Sequence, residues 1–260
     1  MTNTALQNKK IVITRATHQA GDFADKLLTL GAVPVLYPCI AITPPADTTE
    51  LDRALGQLVT FNWLLFTSPN TVIAVHERLS VLSLSPDWSK LLIGVVGSKT
   101  ATQVKHMFGR DVDFMPDDFT AERLGASLPD VTDKHILLPQ SVLADDSLAE
   151  ALRQRGTTVV NLPAYENTIG QGGADVPAML EDNQIDMLTF TSSSTVENFV
   201  KRIQPHPIPD VPAVCIGPST AETATSCGFA QVLIPDTYTL DGMIQTIRQY
   251  FLDADSSSIL

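Results

Sequence analysis

The chain has 260 residues of which 44% are hydrophobic, enough apolar content for one large domain or two ordinary ones. Its 17 basic and 29 acidic side chains leave a net charge of −12, a field that repels phosphate and excludes nonspecific binding to nucleic acid or to an anionic membrane, while leaving open an anionic ligand at a local basic site. No apolar run reaches membrane-spanning length and the first ten residues lack the apolar core of a secretory signal, so a cytoplasmic location is expected.

In chain order, Ile11-Val12-Ile13-Thr14 is a short apolar run ending at polar Thr14-Arg15, as a buried parallel strand does. Phe23, Leu27 and Leu30 then fall on one helical face, with Gly31 as the left-handed cap, and Val33-Pro34-Val35-Leu36-Tyr37 reads as the next strand. A helix over 47–58, a strand ending in Phe66-Thr67-Ser68 and another helix follow. Next come a strand ending in Val96-Gly97, a helix closed by Gly109, a short strand before Pro116 and a helix. The second half opens with Ile136-Leu137-Leu138, a helix over 145–155 capped by Gly156, and Val159-Val160-Asn161-Leu162. It continues with a helix over 175–183, strand ends at Phe190-Thr191-Ser192 and Ile216-Gly217, a helix closed by Gly228, a short strand before Pro235 and a last helix. The tail Ser256-Ser257-Ser258-Ile259-Leu260 lacks periodicity and is expected to fray.

The two halves are copies. Phe66-Thr67-Ser68-Pro69-Asn70 returns as Phe190-Thr191-Ser192-Ser193-Ser194, 124 positions later (190 − 66), and Gly97-Ser98-Lys99-Thr100-Ala101 returns as Gly217-Pro218-Ser219-Thr220-Ala221, 120 positions later (217 − 97). Repeats this long mean two similar lobes, and a cleft between lobes is the expected ligand site. Strands alternating with helices require right-handed crossovers and parallel sheets covered on both faces. The fold class expected is therefore α/β, with two flavodoxin-like doubly wound domains of five strands each. The simplest division is consecutive, broken near Asp130. Linker-like Pro44-Pro45 and Gly170-Gln171-Gly172-Gly173 point to a different break, after the second strand of each half.

Ligands of such sheets bind at the carboxyl ends of the strands, which here read Thr14-Arg15, Thr67-Ser68, Gly97-Ser98, Thr191-Ser192 and Gly217-Pro218. Most open a helix, whose N-terminal N–H groups bind carboxylate or phosphate; the same Ser and Thr also serve as ordinary N-caps. Gly97-Ser98-Lys99-Thr100 lacks the order and glycine spacing of a phosphate-binding loop, and there is neither a dinucleotide fingerprint nor a nucleophile elbow. The five histidines have no metal-ligand spacing, and of these only His18 falls in a strand-to-helix loop near the expected cleft. Cys39, Cys215 and Cys227 read as reduced, buried apolar residues. With no nucleophile, metal or nucleotide signal, an enzyme of this kind works by holding and orienting its substrate.

Taken together, Ile13-Thr14-Arg15 with Gln19, Phe66-Thr67-Ser68-Pro69-Asn70, Gly97-Ser98-Lys99-Thr100-Ala101, Tyr165 with Thr168, Thr191-Ser192-Ser193-Ser194 and Ile216-Gly217-Pro218-Ser219-Thr220-Ala221 resemble the uroporphyrinogen-III synthases, over about Lys10 to Phe251. The resemblance implies a lyase of porphyrin biosynthesis that cyclises linear hydroxymethylbilane, a flexible tetrapyrrole with eight carboxylates, losing water and inverting the terminal ring. It implies no cofactor and no metal, and a cytoplasmic monomer in transient contact with the enzyme that makes hydroxymethylbilane. It also implies that the chain crosses twice between lobes: one lobe of 1–38 plus 169–260, another of 43–164, and crossing strands at 39–43 and 164–168. Tyr165 matches the tyrosine proposed to assist departure of the hydroxyl. Arg15 and Lys99 match carboxylate partners. Ser68, Asn70, Gly97, Ser98, Thr191, Ser192, Ser193, Gly217, Pro218 and Thr220 match positions that bind through hydroxyls and backbone N–H groups. The chain departs from the family at Pro139-Gln140-Ser141, where Arg-Gly is common, and at Ala16, where proline is common. The competing reading is a noncatalytic two-lobed binding protein for an anionic small molecule.

Overall fold

A computed structural model describes residues 6–257, and the chain divides into two compact units, Met1–Ala41 with Thr168–Leu260, and Ile42–Asn167. The first half runs β1 (Lys10–Ile13), α1 (Thr17–Thr29), β2 (Val33–Leu36), β3 (Ile40–Thr43), α2 (Thr49–Gly56), β4 (Trp63–Phe66), α3 (Pro69–Val81), β5 (Leu92–Val95), α4 (Ser98–Phe108) and α5 (Ala121–Ser127). The second runs β6 (His135–Ser141), α6 (Ser147–Gln154), β7 (Thr158–Ile169), α7 (Val176–Glu181), β8 (Met187–Phe190), α8 (Ser193–Ile203), β9 (Ala213–Cys215), α9 (Pro218–Ser226), β10 (Val232–Leu233) and α10 (Leu240–Ser257).

In the first unit the sheet order is β10-β9-β8-β1-β2, every pair parallel. Burial on both faces explains the unbroken apolar strands. In β1, Val12 joins the core built on Phe190, Phe199 and Phe229, while Ile11 and Ile13 join the opposite core with Phe23, Leu27 and Ile247. The three phenylalanines of the first core meet at 5.4–6.1 Å between ring centroids, two of the three pairs edge-to-face, as ring quadrupoles favour.

The second unit has the order β3-β7-β6-β4-β5, with β7-β6-β4-β5 parallel. Along β4, Leu64 and Phe66 pack in one core and Trp63 and Leu65 in the other. In each sheet the first strand–helix–strand piece comes from one half of the chain and the remaining parallel strands from the other. Thus β1-α1-β2 pairs with β8 to β10, and β6-α6-β7 pairs with β4 and β5. The boundaries between the units fall within β3 and within β7, and Asp130 lies inside the second unit.

Four local expectations change. The strand before Pro116 is only a bridge from Phe114 to Gly94, where Asp113 Oδ2 takes the Ile93 N–H at 2.7 Å. The helix expected over 47–58 stops at Gly56 and is followed by a 3-10 turn, Leu58–Thr60. Of the tail, Ser256 and Ser257 continue α10, and residues 258–260 lie outside the described residues. The glycine segment after β7 is packed rather than loose: a Cβ on Gly170 would collide with the Pro38 carbonyl and one on Gly173 with the Leu36 carbonyl. Arg202 of α8 seals that junction, lying 3.7 Å over the Tyr37 ring and donating to the Pro38 and Gly172 carbonyls. Cys39 and Cys215 are buried, with burial pushing both thiols up to about 12, whereas Cys227 is only partly covered.

Candidate active site

A parallel sheet sends the carboxyl ends of its strands to one edge, so each unit gathers its polar strand ends there. In the second unit that edge carries Gly97 after β5, Ser68 after β4, Gln140-Ser141 at the end of β6, and Tyr165 on β7. Ser141 is the register partner of Tyr165, and the Val142 N–H donates to the Tyr165 carbonyl at 2.9 Å. The Tyr165 side chain reaches past β6, placing its hydroxyl 3.3 Å from Ser68 Oγ. Ser68 is the N-cap of α3: its Oγ accepts the Thr71 N–H at 3.2 Å and lies 3.0 Å from Thr71 Oγ1. With Oγ accepting that N–H, the serine proton can be donated to Tyr165, freeing the phenol proton for another acceptor. Tyr165 is 7% exposed; Asn70, second in α3, is partly exposed.

At α4 the N-cap is Gly97, with no side chain capping the helix, and Ser98 and Lys99 stand exposed in its first turn. A cation opposes the helix dipole there, unless an anion is also bound. Lys99 forms no ion pair among the described residues.

In the first unit, Arg15 follows β1 and donates to the Gln19 carbonyl (Nε, 3.2 Å) and to Gln19 Oε1 (Nη2, 3.4 Å). Burial lowers its pKa from the ordinary guanidinium value, opposed by the charge of Asp22. A half-desolvated guanidinium bonded to neutral oxygens gains from a carboxylate. Ser192, following Thr191, caps α8 in a reciprocal pair with Thr195. Ser193 Oγ donates to the Ser219 carbonyl at 3.3 Å and accepts from Thr223 Oγ1 at 2.8 Å, bracing α8 against α9. Gly217 starts α9 without a side-chain cap, and Pro218 is the first helical residue.

Thr220 is 5% exposed and belongs to a set with Thr71, Thr100 and Thr195, each the third residue of its helix and each buried. In that position Thr195 Oγ1 bonds the backbone of Ser192 and Thr71 Oγ1 lies 3.0 Å from Ser68 Oγ, whereas the N-cap of α9 is Gly217, which carries no side chain. Gln140, where the chain departs from the family pattern, is 6% exposed, and its Oε1 has no partner among the described residues. A cavity of ≈ 280 Å³ opens beside it, lined also by Ser141, Asp146 and Asn161. Sequence reasoning also passed over Phe119 and Tyr238, although Pro116-Asp117 with Phe119-Thr120 returns as Pro235-Asp236 with Tyr238-Thr239, 119 positions later (238 − 119). His18 is the second residue of α1. Among the described residues no group of three or more His, Cys, Asp or Glu is placed to hold a metal, and no helix is long and apolar enough to cross a membrane.

A family model described as Uroporphyrinogen-III synthase HemD matches residues 21–245. A uroporphyrinogen-III synthase of Synechococcus elongatus is 33% identical over 96% of this chain and 98% of its own length. That of Chlorobaculum parvum is 30% identical over 88% of this chain and 94% of its own. The crystal structure of a uroporphyrinogen-III synthetase from Helicobacter pylori matches with a TM-score of 0.57 at 17% identity, covering 92% of this chain and 97% of that one.

Proposed function

The chain belongs to the uroporphyrinogen-III synthase family, and from that premise we propose how its own residues carry the reaction. It is an enzyme of tetrapyrrole biosynthesis that cyclises hydroxymethylbilane. The linear substrate closes by itself to the uninverted isomer, so the enzyme has two tasks. It helps the terminal hydroxyl leave, and it biases which carbon of the last ring is attacked.

For the first task the phenol of Tyr165 donates its proton to the departing hydroxyl, which leaves as water, while Ser68 supplies a hydrogen bond to the phenol oxygen. The 3.3 Å pairing of these two side chains carries this reading. Positioned acid assistance of this kind contributes about 10²–10⁴-fold. For the second task, acetate and propionate groups are held at the starts of α3, α4, α8 and α9 and by Arg15 and Lys99, through Ser68, Asn70, Gly97, Ser98, Thr191, Ser192, Ser193, Gly217, Pro218 and the backbone of Thr220. Fixing a flexible chain in its reactive shape is an orientation effect that reaches roughly 7–11 kcal/mol in favourable cases.

The reading extends to a flavodoxin-like doubly wound fold for two domains, 1–38 with 169–260 and 43–164, linked at 39–43 and 164–168. It extends also to a cytoplasmic monomer that needs no cofactor and meets the enzyme supplying hydroxymethylbilane transiently. The deciding assay supplies fresh hydroxymethylbilane and resolves the oxidised products by isomer. The expected result is the inverted isomer, formed faster than spontaneous closure; only the uninverted isomer at the spontaneous rate would leave the anionic-ligand binding protein in its place.

A further inference from the structure

In each unit an exposed aromatic ring lies against the helix start that no side chain caps. Phe119 is 53% exposed, and a Cβ built on Gly97 would lie 3.4 Å from its Cβ and 3.6 Å from its Cγ. Tyr238 is 61% exposed, and a Cβ built on Gly217 would lie 3.6 Å from its Cγ and 3.8 Å from its Cδ1. Both glycines have extended backbones, φ −159° and −167°, which any residue adopts, so conformation does not account for them. Without a side chain, each leaves its helix start open beside the ring. At the other two starts, Ser68 and Ser192 put a hydroxyl in that place.

The competing explanation is a hydrophobic staple. Each aromatic residue precedes a threonine whose hydroxyl takes a backbone N–H three residues on, from Arg123 at 3.2 Å and from Gly242 at 3.1 Å, and a residue so placed often packs on the one five positions later. Those residues, Leu124 and Met243, are fully buried within their own cores, whereas Phe119 and Tyr238 are each more than half exposed. Phe119 is moreover held at φ +46°, a backbone conformation that bulky residues rarely adopt.

A flat apolar face beside an uncapped helix start suits a planar ring carrying a carboxylate on a short arm. The ring stacks offset on the aromatic face and the carboxylate meets the N–H groups. A pyrrole with its acetate or propionate arm has that form. We propose that Phe119 and Tyr238 are positioning residues, each supporting one pyrrole ring of the linear tetrapyrrole while the adjacent helix start binds that ring's carboxylate. The assignment rests on the synthase reading, and it adds ring contacts to the carboxylate contacts already described.

The test compares Phe119→Leu, Tyr238→Leu and the conservative Tyr238→Phe with wild type, measuring Tm, kcat, KM and product isomer ratio on fresh hydroxymethylbilane. The leucine variants are expected to melt within about 2 °C of wild type, with KM raised about fivefold to tenfold and more uninverted product, while Tyr238→Phe keeps KM within about twofold. Unchanged KM and isomer ratio at unchanged Tm overturn the assignment. So does a loss of activity that follows a fall in Tm, the signature of a staple. A wild-type enzyme that yields only the uninverted isomer sinks the synthase reading instead, and the assignment with it.

Discussion

At Tyr165 the ring is 7% exposed and the hydroxyl lies 3.3 Å from Ser68 Oγ, so one side chain both packs the sheet edge and carries a polar group to it. Tyr165→Phe keeps the packing and removes only the hydroxyl. Turnover is expected to fall about tenfold to a hundredfold with Tm nearly unchanged, at or below the lower end of the range for acid assistance; unchanged turnover would leave orientation as the whole of catalysis. Ser68 was readable in the chain because the repeat marks the strand ends, while Tyr165 stood out only through the family resemblance. Their burial was not readable there. Ser68 and Thr220 look alike in sequence, yet Ser68 is partly exposed and caps its helix beside Tyr165, while Thr220 is 5% exposed. The shared burial of the third-position threonines of α3, α4, α8 and α9 shows only once the helix starts are placed. Gln140 lies on β6, and the burial of its unpartnered oxygen depends on the neighbouring β7, which lies beyond any local pattern.

Helices set the strand ends in place, and α2 and α3 show how. Arg78 of α3 grips Asp52 of α2 through two bonds, Nε to Oδ1 at 2.5 Å and Nη2 to Oδ2 at 2.6 Å. Hydrogen bonding to Arg78 holds the Asp52 carboxyl below its ordinary pKa, with burial opposing. A carboxyl depressed by folding contributes stability above its unfolded value, about 3.9, and that contribution is lost as pH falls through the folded value. Because both side chains are partly exposed, Asp52→Asn is expected to cost only about 0.5–1 kcal/mol at pH 7. The gap from wild type should close as pH falls through that folded value in urea melts followed across pH. A gap that persists in acid would mean that packing, not charge, was lost. At this scale the sequence was most legible, since helical faces such as Phe23 and Leu27 and caps such as Gly31 are local features. It erred where a strand depends on a distant partner, as at Phe114, whose pairing is reduced to one bridge.

Over the whole molecule, a net charge of −12 meets a substrate with eight carboxylates. The overall field opposes encounter, while on the proposed reading the helix starts, Arg15 and Lys99 act at short range. Raising ionic strength from about 0.01 to 0.15 M shortens the screening length from about 30 to 8 Å, which removes the distant repulsion first. We therefore expect kcat/KM to rise severalfold over that interval; a steady fall would mean that the local cations dominate encounter as well as binding. The sequence by itself determined the kinds of elements, their order, the duplication and the polar strand ends, because periodicity, caps and repeats are written within a few residues of one another. Linkers and family resemblance pointed to an exchange between the halves, but only the tertiary structure shows which strands meet, β1-α1-β2 with β8 to β10 and β6-α6-β7 with β4 and β5, and that Tyr165 reaches Ser68 past an intervening strand. Parallel strands find their neighbours through hydrogen bonds and shared burial across more than 100 residues of chain, as from Val12 to Leu188, and no local pattern specifies which of several similar apolar strands will meet.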